Sequence, residues 1–286
     1  MSSKYLLVRR FTSIAFVAAA LASLSLAPCA NAYNDTNADG SINVGSAKLF
    51  SSLAAGSMNV YDNNITGPSL VVGNVGIGGA GNFTMSDGTV QGDLYMNDTG
   101  TFSMSGPAKI TGTKRGLHLN GVSQQSTLNN ALADALSLSN AAAAEASTNN
   151  YTVTQGSFNG TTVNTGQSIT IVGPASGKVV LNLQDFVMTS GTFTLQGTAM
   201  TTFIINVKNN FSLNNSSVVL NGGLLASHVL FNIKGTGNQV SLNQGTSLQG
   251  VLLAYNRKVD LSGGKVYGRV IANQIVITSG GQIVSQ

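Results

Sequence analysis

The most regular feature of the chain is a short alternating unit: an aromatic or β-branched residue, a small polar residue, an apolar residue and a second small polar residue, followed closely by glycine. Alternation with a period of two predicts β-strands that turn one side inward. The unit occurs at Phe83–Ser86, Phe102–Ser105, Phe186–Thr189, Phe211–Asn214, Val240–Asn243, Val259–Ser262 and Ile275–Thr278. The pattern therefore predicts an all-β chain of many short strands.

These units return at nearly constant separations. The step from Phe83 to Phe102 is almost the same as the step that relates the similar segments Leu248–Ala254 and Val266–Ala272, which carry a glycine at equivalent corners. A sandwich also places strands at regular intervals, but it does not return the same strand type at a fixed step. We therefore predict a β-solenoid with about 16–19 residues per rung and some irregular turns, in which each repeat stacks on the next.

One segment departs from this alternation. Between about residues 124 and 148 glycine is absent, and Leu128, Leu132 and Leu136 recur at intervals of four beside an alanine run at 141–144. This spacing predicts an α-helix. Such a helix would be about 37 Å long, so we expect it to lie along the solenoid and cover one side.

The distribution of charge indicates an exported protein. Only 8% of the residues are charged, and the formal net charge is +4. Three bases, Lys4, Arg9 and Arg10, precede an uncharged run at 11–26, and Ala30-Asn31-Ala32 fits a small-residue cleavage site. We therefore predict a secretory signal peptide at 1–32 and a single solenoid domain at 33–286.

After removal of the predicted signal, eleven bases face ten acids, which argues against a nucleic-acid partner. The apolar run at 11–26 falls short of the roughly 20 residues that span a bilayer, so we expect no stable membrane span. The only cysteine, Cys29, lies within the predicted signal. A lipidated Cys29 is the alternative to release, although Pro28 stands where a lipoprotein box has Gly, Ala or Ser.

Candidate catalytic residues are few. His118 and His228 have no carboxylate or thiol near them in sequence, and the acids form no close cluster beyond Asp35 and Asp39. A polysaccharide-cleaving solenoid would need paired carboxylates or an acidic calcium cluster. Asp260, with Arg257, Lys258 and Arg269 near it, is the remaining polar cluster, and we interpret it as a solvated corner. We therefore predict no enzyme and assign no catalytic residue.

A second motif resembles the start of a calcium loop. Asp35, Asn37 and Asp39 supply oxygen ligands at alternate positions before Gly40, but Ser46 stands where the closing acid is expected. Ca²⁺ is thus the only cofactor that the sequence leaves open, and a polar turn is the alternative.

The outward positions of the alternating units form the candidate binding surface. Stacked in register, they would make a flat ladder of small, mostly uncharged groups about 4.8 Å apart. They are Thr84, Ser86, Ser103, Ser105, Thr189, Ser212, Asn214, Ser241, Asn243, Ser262 and Thr278. Val187, Asp260 and Val276 interrupt the ladder. Such a surface suits an extended, repetitive partner: a glycan, a matrix protein or ice.

Two related families share these motifs. Segments 203–207, 211–213, 218–223, 228–233, 245–254 and 266–272 resemble the ice-binding-like solenoid domain of microbial ice-binding proteins and adhesins, and the bacterial exported module called "choice-of-anchor A". Val229–Ile233, followed by Gly250 and Leu252-Leu253-Ala254, looks closer to the second, whereas 54–76 and the alanine-rich helix look like the first. The resemblance covers most of 45–284.

The resemblance implies a right-handed triangular solenoid with one helix alongside and a non-catalytic binding role. Three hypotheses follow from the sequence. The first is an exported, adhesin-like surface or matrix-binding protein, the second is ice binding through the same ladder, and the third is a polysaccharide-acting solenoid enzyme.

Overall fold

A computed structural model describes residues 33–61, 68–235 and 237–286. Tyr33–Gln286 form one compact unit. The predicted signal peptide, with Cys29, lies outside the described residues.

The described part of the chain is mostly β-structure. Its strands are β1 Ser52–Ala54, β2 Met58–Val60, β3 Leu70–Val72, β4 Val75–Ile77, β5 Phe83–Met85, β6 Thr89–Gln91, β7 Leu94–Met96, β8 Phe102–Met104, β9 Lys109–Ile110, β10 Lys114–Arg115, β11 Thr152–Gln155, β12 Thr162–Thr165, β13 Ile169–Val172, β14 Gly177–Leu183, β15 Asp185–Met188, β16 Gly191–Gln196, β17 Thr201–Val207, β18 Phe211–Leu213, β19 Ser216–Asn221, β20 Val229–Ile233, β21 Val240–Asn243, β22 Ser247–Ser262, β23 Lys265–Thr278 and β24 Gln282–Val284. The helices are α1 Leu117–Asn120 and α2 Gln125–Ala144, and 3₁₀ turns occupy Gly45–Leu49 and Ala226–His228.

The strands wind into a β-solenoid, as the repeats predict, and it is three-sided, as the family resemblance implies. Each rung contributes one strand segment to each of three faces, and neighbouring rungs pair through parallel strands. Strands β22 and β23 each run through all three faces. The ladder face contains β12, β15, β18, β21, the C-terminal parts of β22 and β23, β2, β5 and β8. The helix face contains β14, β17, β20, the middle of β22 and β23, β1, β4, β7 and β10. The third face contains β13, β16, β19, the N-terminal parts of β22 and β23, β24, β3, β6 and β9.

The inward side chains form a continuous apolar core. Phe186 lies directly over Phe211 with ring centroids 5.1 Å apart, and Phe83 lies over Phe102 at 6.0 Å. Phe83, Phe186 and Phe211 are almost completely buried. The aromatic positions of the alternating units therefore point inward, which leaves their small polar positions outside.

The predicted rung length holds for only part of the coil. The step from Val240 to its partner Val259 lies within the predicted range, whereas the step from Phe186 to its partner Phe211 exceeds it. The long rungs skip no turn. They are longer because their strands are longer: β16 and β17 are each about twice the length of β3 or β4.

The order of the rungs in space differs from their order in the chain. The first rungs, from β1 to β10, stack beyond the last ones, because β1 and β2 pair with β23 and β3 pairs with β24. Helix α2 connects the outermost of these early rungs to the opposite end of the coil, where β11 pairs antiparallel with β13. The simple succession of repeats that the sequence suggests is therefore broken once.

Helix α2 covers the helix face, as expected, but it is shorter than predicted. It spans Gln125–Ala144 rather than about 124–148, which is about 30 Å. Its inward side packs on apolar residues of the coil, with Leu128 and Leu138 fully buried. Residues after 144 leave the helix because Ser147 and Thr148 bond instead to strand β14: the Asn182 and Val180 amides donate to their side-chain oxygens.

A row of amides joins this helix to the coil. Asn232 is fully buried, and its Nδ2 donates to the Ser139 carbonyl at 3.0 Å and to Asn206 Oδ1 at 2.8 Å. The Ser139 hydroxyl donates to Asn232 Oδ1 at 2.8 Å. Asn206 Nδ2 in turn donates to the Ala142 carbonyl and to Asn182 Oδ1, both at 2.7 Å. These bonds fix the position of α2 along the coil.

Candidate functional site: the ladder face

The ladder face carries an unbroken register across nine rungs. Its central outward column reads Asn164, Val187, Ser212, Ser241, Asp260, Val276, Asn59, Thr84 and Ser103. Neighbouring strands in a sheet are about 4.8 Å apart, so the column is roughly 38 Å long. The face is therefore a long, regular array of side chains.

The structure brings all eleven predicted ladder residues together on this face. Thr84, Ser103, Ser212 and Ser241 lie in the central column. The other seven lie two positions further along the chain, in one flanking column: Ser86, Ser105, Thr189, Asn214, Asn243, Ser262 and Thr278. None of the eleven is buried. Their hydroxyl and amide groups thus face outward on one side of the coil.

Two members of the central column were missed. Asn59 and Asn164 sit in register with Thr84 and Val187, respectively. The segment Met58-Asn59-Val60 alternates like the other units but begins with Met rather than with an aromatic or β-branched residue. In Val163-Asn164-Thr165, Thr165 stands where the units have their second apolar residue. A search for alternation alone would find Asn59, whereas Asn164 is identified only by its register with Val187.

The face holds a few charged side chains, and two of them form an ion pair. Asp260 Oδ2 lies 3.1 Å from Lys258 Nζ, and Asp185 Oδ1 accepts from Asn210 Nδ2 at 2.8 Å. Beside them, Val187, Asn210, Ser212, Gln239 and Ser241 line a polar groove of about 600 Å³. The face is close to electrically neutral, and its hydrogen-bonding groups are mainly hydroxyls and amides.

The interpretation of the Asp260 cluster as a solvated corner is wrong in part. Arg257 is only 5% exposed and donates to the Asn209 carbonyl, and Arg269 donates to the Phe50 carbonyl. Burial lowers the pKa of both guanidinium groups. Only Lys258 pairs with Asp260, so the four residues form no shared polar site.

The residues of the calcium-like loop bind protein groups. Asp35 Oδ1 accepts from Lys178 Nζ at 2.7 Å, and Lys178 also pairs with Glu145 at 2.5 Å. Asp39 Oδ1 accepts from the Ser41 amide and hydroxyl, and these bonds lower the pKa of Asp39. Asn37 Nδ2 donates to the Ser41 hydroxyl. Within residues 33–61, 68–235 and 237–286, no three His, Cys, Asp or Glu side chains are grouped as metal ligands.

Neither histidine belongs to the outward columns of the ladder face, although His118 lines a cavity with Phe102 of β8. His228 is 3% exposed beneath Gly40 of the N-terminal loop, and His118 lies on α1. No helix in the described part of the chain has the length and hydrophobicity needed to cross a membrane.

Comparisons with known proteins identify the family and the fold. The family model of an ice-binding-like adhesive domain matches residues 27–284, in agreement with the first of the two resemblances. No curated protein matches the chain.

Solved structures with a similar fold include ice-binding proteins from an Arctic yeast and an Antarctic bacterium. A structure of an ice-binding protein (LeIBP) from an Arctic yeast has a TM-score of 0.56 at 19% identity, covering 87% of this chain and 96% of that one. A structure of a glycosylated LeIBP has a TM-score of 0.54 at 16% identity, and the match covers 85% of this chain and 93% of that one. An ice-binding protein from an Antarctic Flavobacteriaceae bacterium has a TM-score of 0.50 at 16% identity, and the match covers 90% of this chain and 51% of that one. These likenesses establish a β-solenoid fold.

Proposed function

Since this chain belongs to the family of ice-binding-like adhesive domains, we propose that it is an exported, non-catalytic, adhesin-like protein whose ladder face binds an extended, repetitive surface such as a glycan or a matrix protein. Export rests on the predicted signal at 1–32. The observation that carries the binding role is the nine-rung register of the central column, from Asn164 to Ser103. A flat array of this length matches a repetitive partner better than a small molecule.

The composition of the face favours a hydrated polymer. Hydroxyl and amide groups both donate and accept hydrogen bonds, as do the hydroxyl groups of a glycan and the amides of a matrix protein. The Asp260–Lys258 ion pair and Asp185 interrupt the uncharged array. A polymer with its own polar and charged groups can complement these interruptions.

Ice is the second candidate. It is favoured by the names of the solved structures with the same fold, which describe ice-binding proteins. Asp185, which bonds to the neutral Asn210 amide, is less suited to ice, because a water lattice offers no counter-ion.

A pair of matched substitutions tests the location of the surface. In Thr84→Tyr a phenol projects from the centre of the ladder face, whereas in Thr89→Tyr it projects from the third face. We expect the first variant to bind its surface about tenfold more weakly, because a bulky group holds the flat face away from its partner. The second should bind like the unmodified protein.

The measurement uses the purified protein on glycan and matrix-protein arrays, together with thermal hysteresis and inhibition of ice recrystallisation. Binding to an array without activity on ice supports the adhesive role, and the reverse result supports ice binding. Equal loss in both variants, or no loss in Thr84→Tyr, would exclude the ladder face. Melting curves of both variants control for folding.

A further inference from the structure

A separate cleft lies away from the ladder face, between the N-terminal segment, helix α2 and the helix face of the coil. Its volume is about 540 Å³, which is within the range of about 300 to 1,000 Å³ that is usual for small-molecule sites. Its basic lining residues are Lys48 from the 3₁₀ turn and Arg269 from β23, and Asp134 from α2 is its acidic one. The cleft therefore carries two positive charges and one negative charge.

Arg269 is the unusual member of this lining. Its Nη1 donates to the Phe50 carbonyl, and no carboxylate of the described residues lies within 4.0 Å of its guanidinium. Burial lowers the pKa of Arg269, the direction expected for a cation that is poorly solvated. A partly buried guanidinium without a counter-ion is stabilised by an anion, and its planar fork fits a carboxylate.

The one acidic group of the cleft is already engaged. Asp134 Oδ2 accepts from the Ser46 amide at 2.7 Å, at the start of the 3₁₀ turn. Lys48 is exposed at the end of the same turn and has no ion-pair partner among the residues that the structure describes. The positive side of the cleft is thus available to a ligand, and its negative side is bound to the backbone.

The remaining polar lining is uncharged. Asn37, Asn43, Ser41 and Ser227 contribute amide and hydroxyl groups. Several are held by neighbours: Asn43 Nδ2 donates to the Asn34 carbonyl at 2.8 Å, and the Ser41 hydroxyl donates to Asp39 at 2.6 Å. Neutral donors and acceptors of this kind, arranged around a charged anchor, suit the hydroxyl groups of a sugar.

We propose that this cleft binds an acidic sugar, with the sugar carboxylate at Arg269 and Lys48 and its hydroxyl groups at the neutral side chains. The site is independent of the ladder face. It would give the protein a second mode of recognition, directed at a uronate unit within or at the end of a glycan.

Titration calorimetry of the full chain with glucuronate, glucose and inorganic phosphate tests the site. We expect glucuronate to bind, and its affinity should fall as the salt concentration increases. Glucose lacks the charge, so it should bind at least about tenfold more weakly than glucuronate. Phosphate binding as tight as that of glucuronate would reduce the cleft to a simple anion site and overturn the proposal. Failure of glucuronate to bind would overturn it as well.

Three variants locate the binding. Lys48→Ala should lower the affinity for glucuronate about threefold to fivefold. Lys265→Ala removes a lysine from the third face and should leave this affinity unchanged. Arg269→Gln should weaken it at least about tenfold, with a melting curve to confirm folding. An unchanged affinity in Lys48→Ala would contradict the proposal even if Arg269→Gln does not fold. Thr84→Tyr should not affect glucuronate, so the cleft and the ladder face can fail separately.

Discussion

Asn232 has a partner for every polar atom of its side chain, although it is fully buried between helix α2 and the coil. Buried amides of this kind are tolerated because each lost bond to water is replaced. The same bonds specify position, since a slip of the helix would break all of them together. Asn232 therefore contributes to the uniqueness of the fold as well as to its stability.

Replacing Asn232 with alanine should lower the free energy of unfolding by about 2 to 4 kcal/mol. The variant leaves the Ser139 hydroxyl and Asn206 Oδ1 buried without their partner and opens a small cavity. Denaturant unfolding measures the change. Asn164→Ala is the matched control, because Asn164 is exposed on the ladder face, and it should change stability by less than about 0.5 kcal/mol. Similar values for the two variants would contradict the role of the amide row.

At the scale of the element, helix α2 closes the helix face with one apolar side. Leu128, Leu138 and Ala135 are fully buried against the coil, whereas Asn130 on the opposite side is exposed. The helix has an N-cap residue, Gln124, that makes no side-chain cap, and its first helical amide, that of Gln125, donates to Ser123 Oγ at 3.3 Å. Its stability therefore depends on packing against the coil more than on its own ends.

Leu138→Ala should lower the free energy of unfolding by about 2 to 5 kcal/mol, because it leaves a cavity beneath the helix. Asn130→Ala should be neutral or slightly stabilising, since alanine has the higher helix propensity. Thermal unfolding followed by circular dichroism compares the two. If Leu138→Ala lowered the free energy of unfolding no more than Asn130→Ala does, the helix would be shown to pack only loosely.

The strands of the ladder face could be predicted because their alternation survives in the sequence. Thr84 and Ser103 face outward beside Phe83 and Phe102, whose side chains turn toward the core, as period two requires. Asn232 could not be predicted in the same way. It occupies an outward position of its strand, and only the helix, which approaches it at Ser139, makes that position interior. Alternation shows which side a residue faces, but not what covers that side.

Backbone sterics made the corner at Gly268 predictable. Gly250 and Gly268 pair in register, and a Cβ on Gly268, where φ is +146°, would lie 2.0 Å from the Gly250 carbonyl oxygen. Repeated glycine at this step is thus a signature of stacked corners. The order of the rungs left no such mark, because the contact between the first and last strands depends on where α2 leads the chain.

At the scale of the whole molecule, the C-terminal strand is an interior part of the stack. Ile283 of β24 is fully buried and pairs with Val266 on one side and Val71 on the other. A coil that is stabilised by contacts between neighbouring rungs transmits a local loss to both neighbours. A cavity-forming substitution in β24 should therefore also destabilise β3, which precedes it by many rungs in the sequence.

In Ile283→Ala, we expect faster amide hydrogen exchange in β3, near the start of the chain, as well as in β23. The lost side chain loosens both strands that flank it. Val153→Ala is the control, because β11 lies at the far end of the coil against β13, and its effect should stay within that end. Exchange followed by mass spectrometry tests both. Protection of β3 that is unchanged in Ile283→Ala would refute the coupling.

The pairing of Ser52 with Val270, close to the other end of the chain, has a consequence for biosynthesis. Strand β1 gains its second neighbour only after β23 has been synthesised, and such distant pairings form slowly. The first rungs must therefore remain partly open until β23 emerges. In the exported protein that we propose, this delay would leave the polypeptide open enough to pass through a translocation channel.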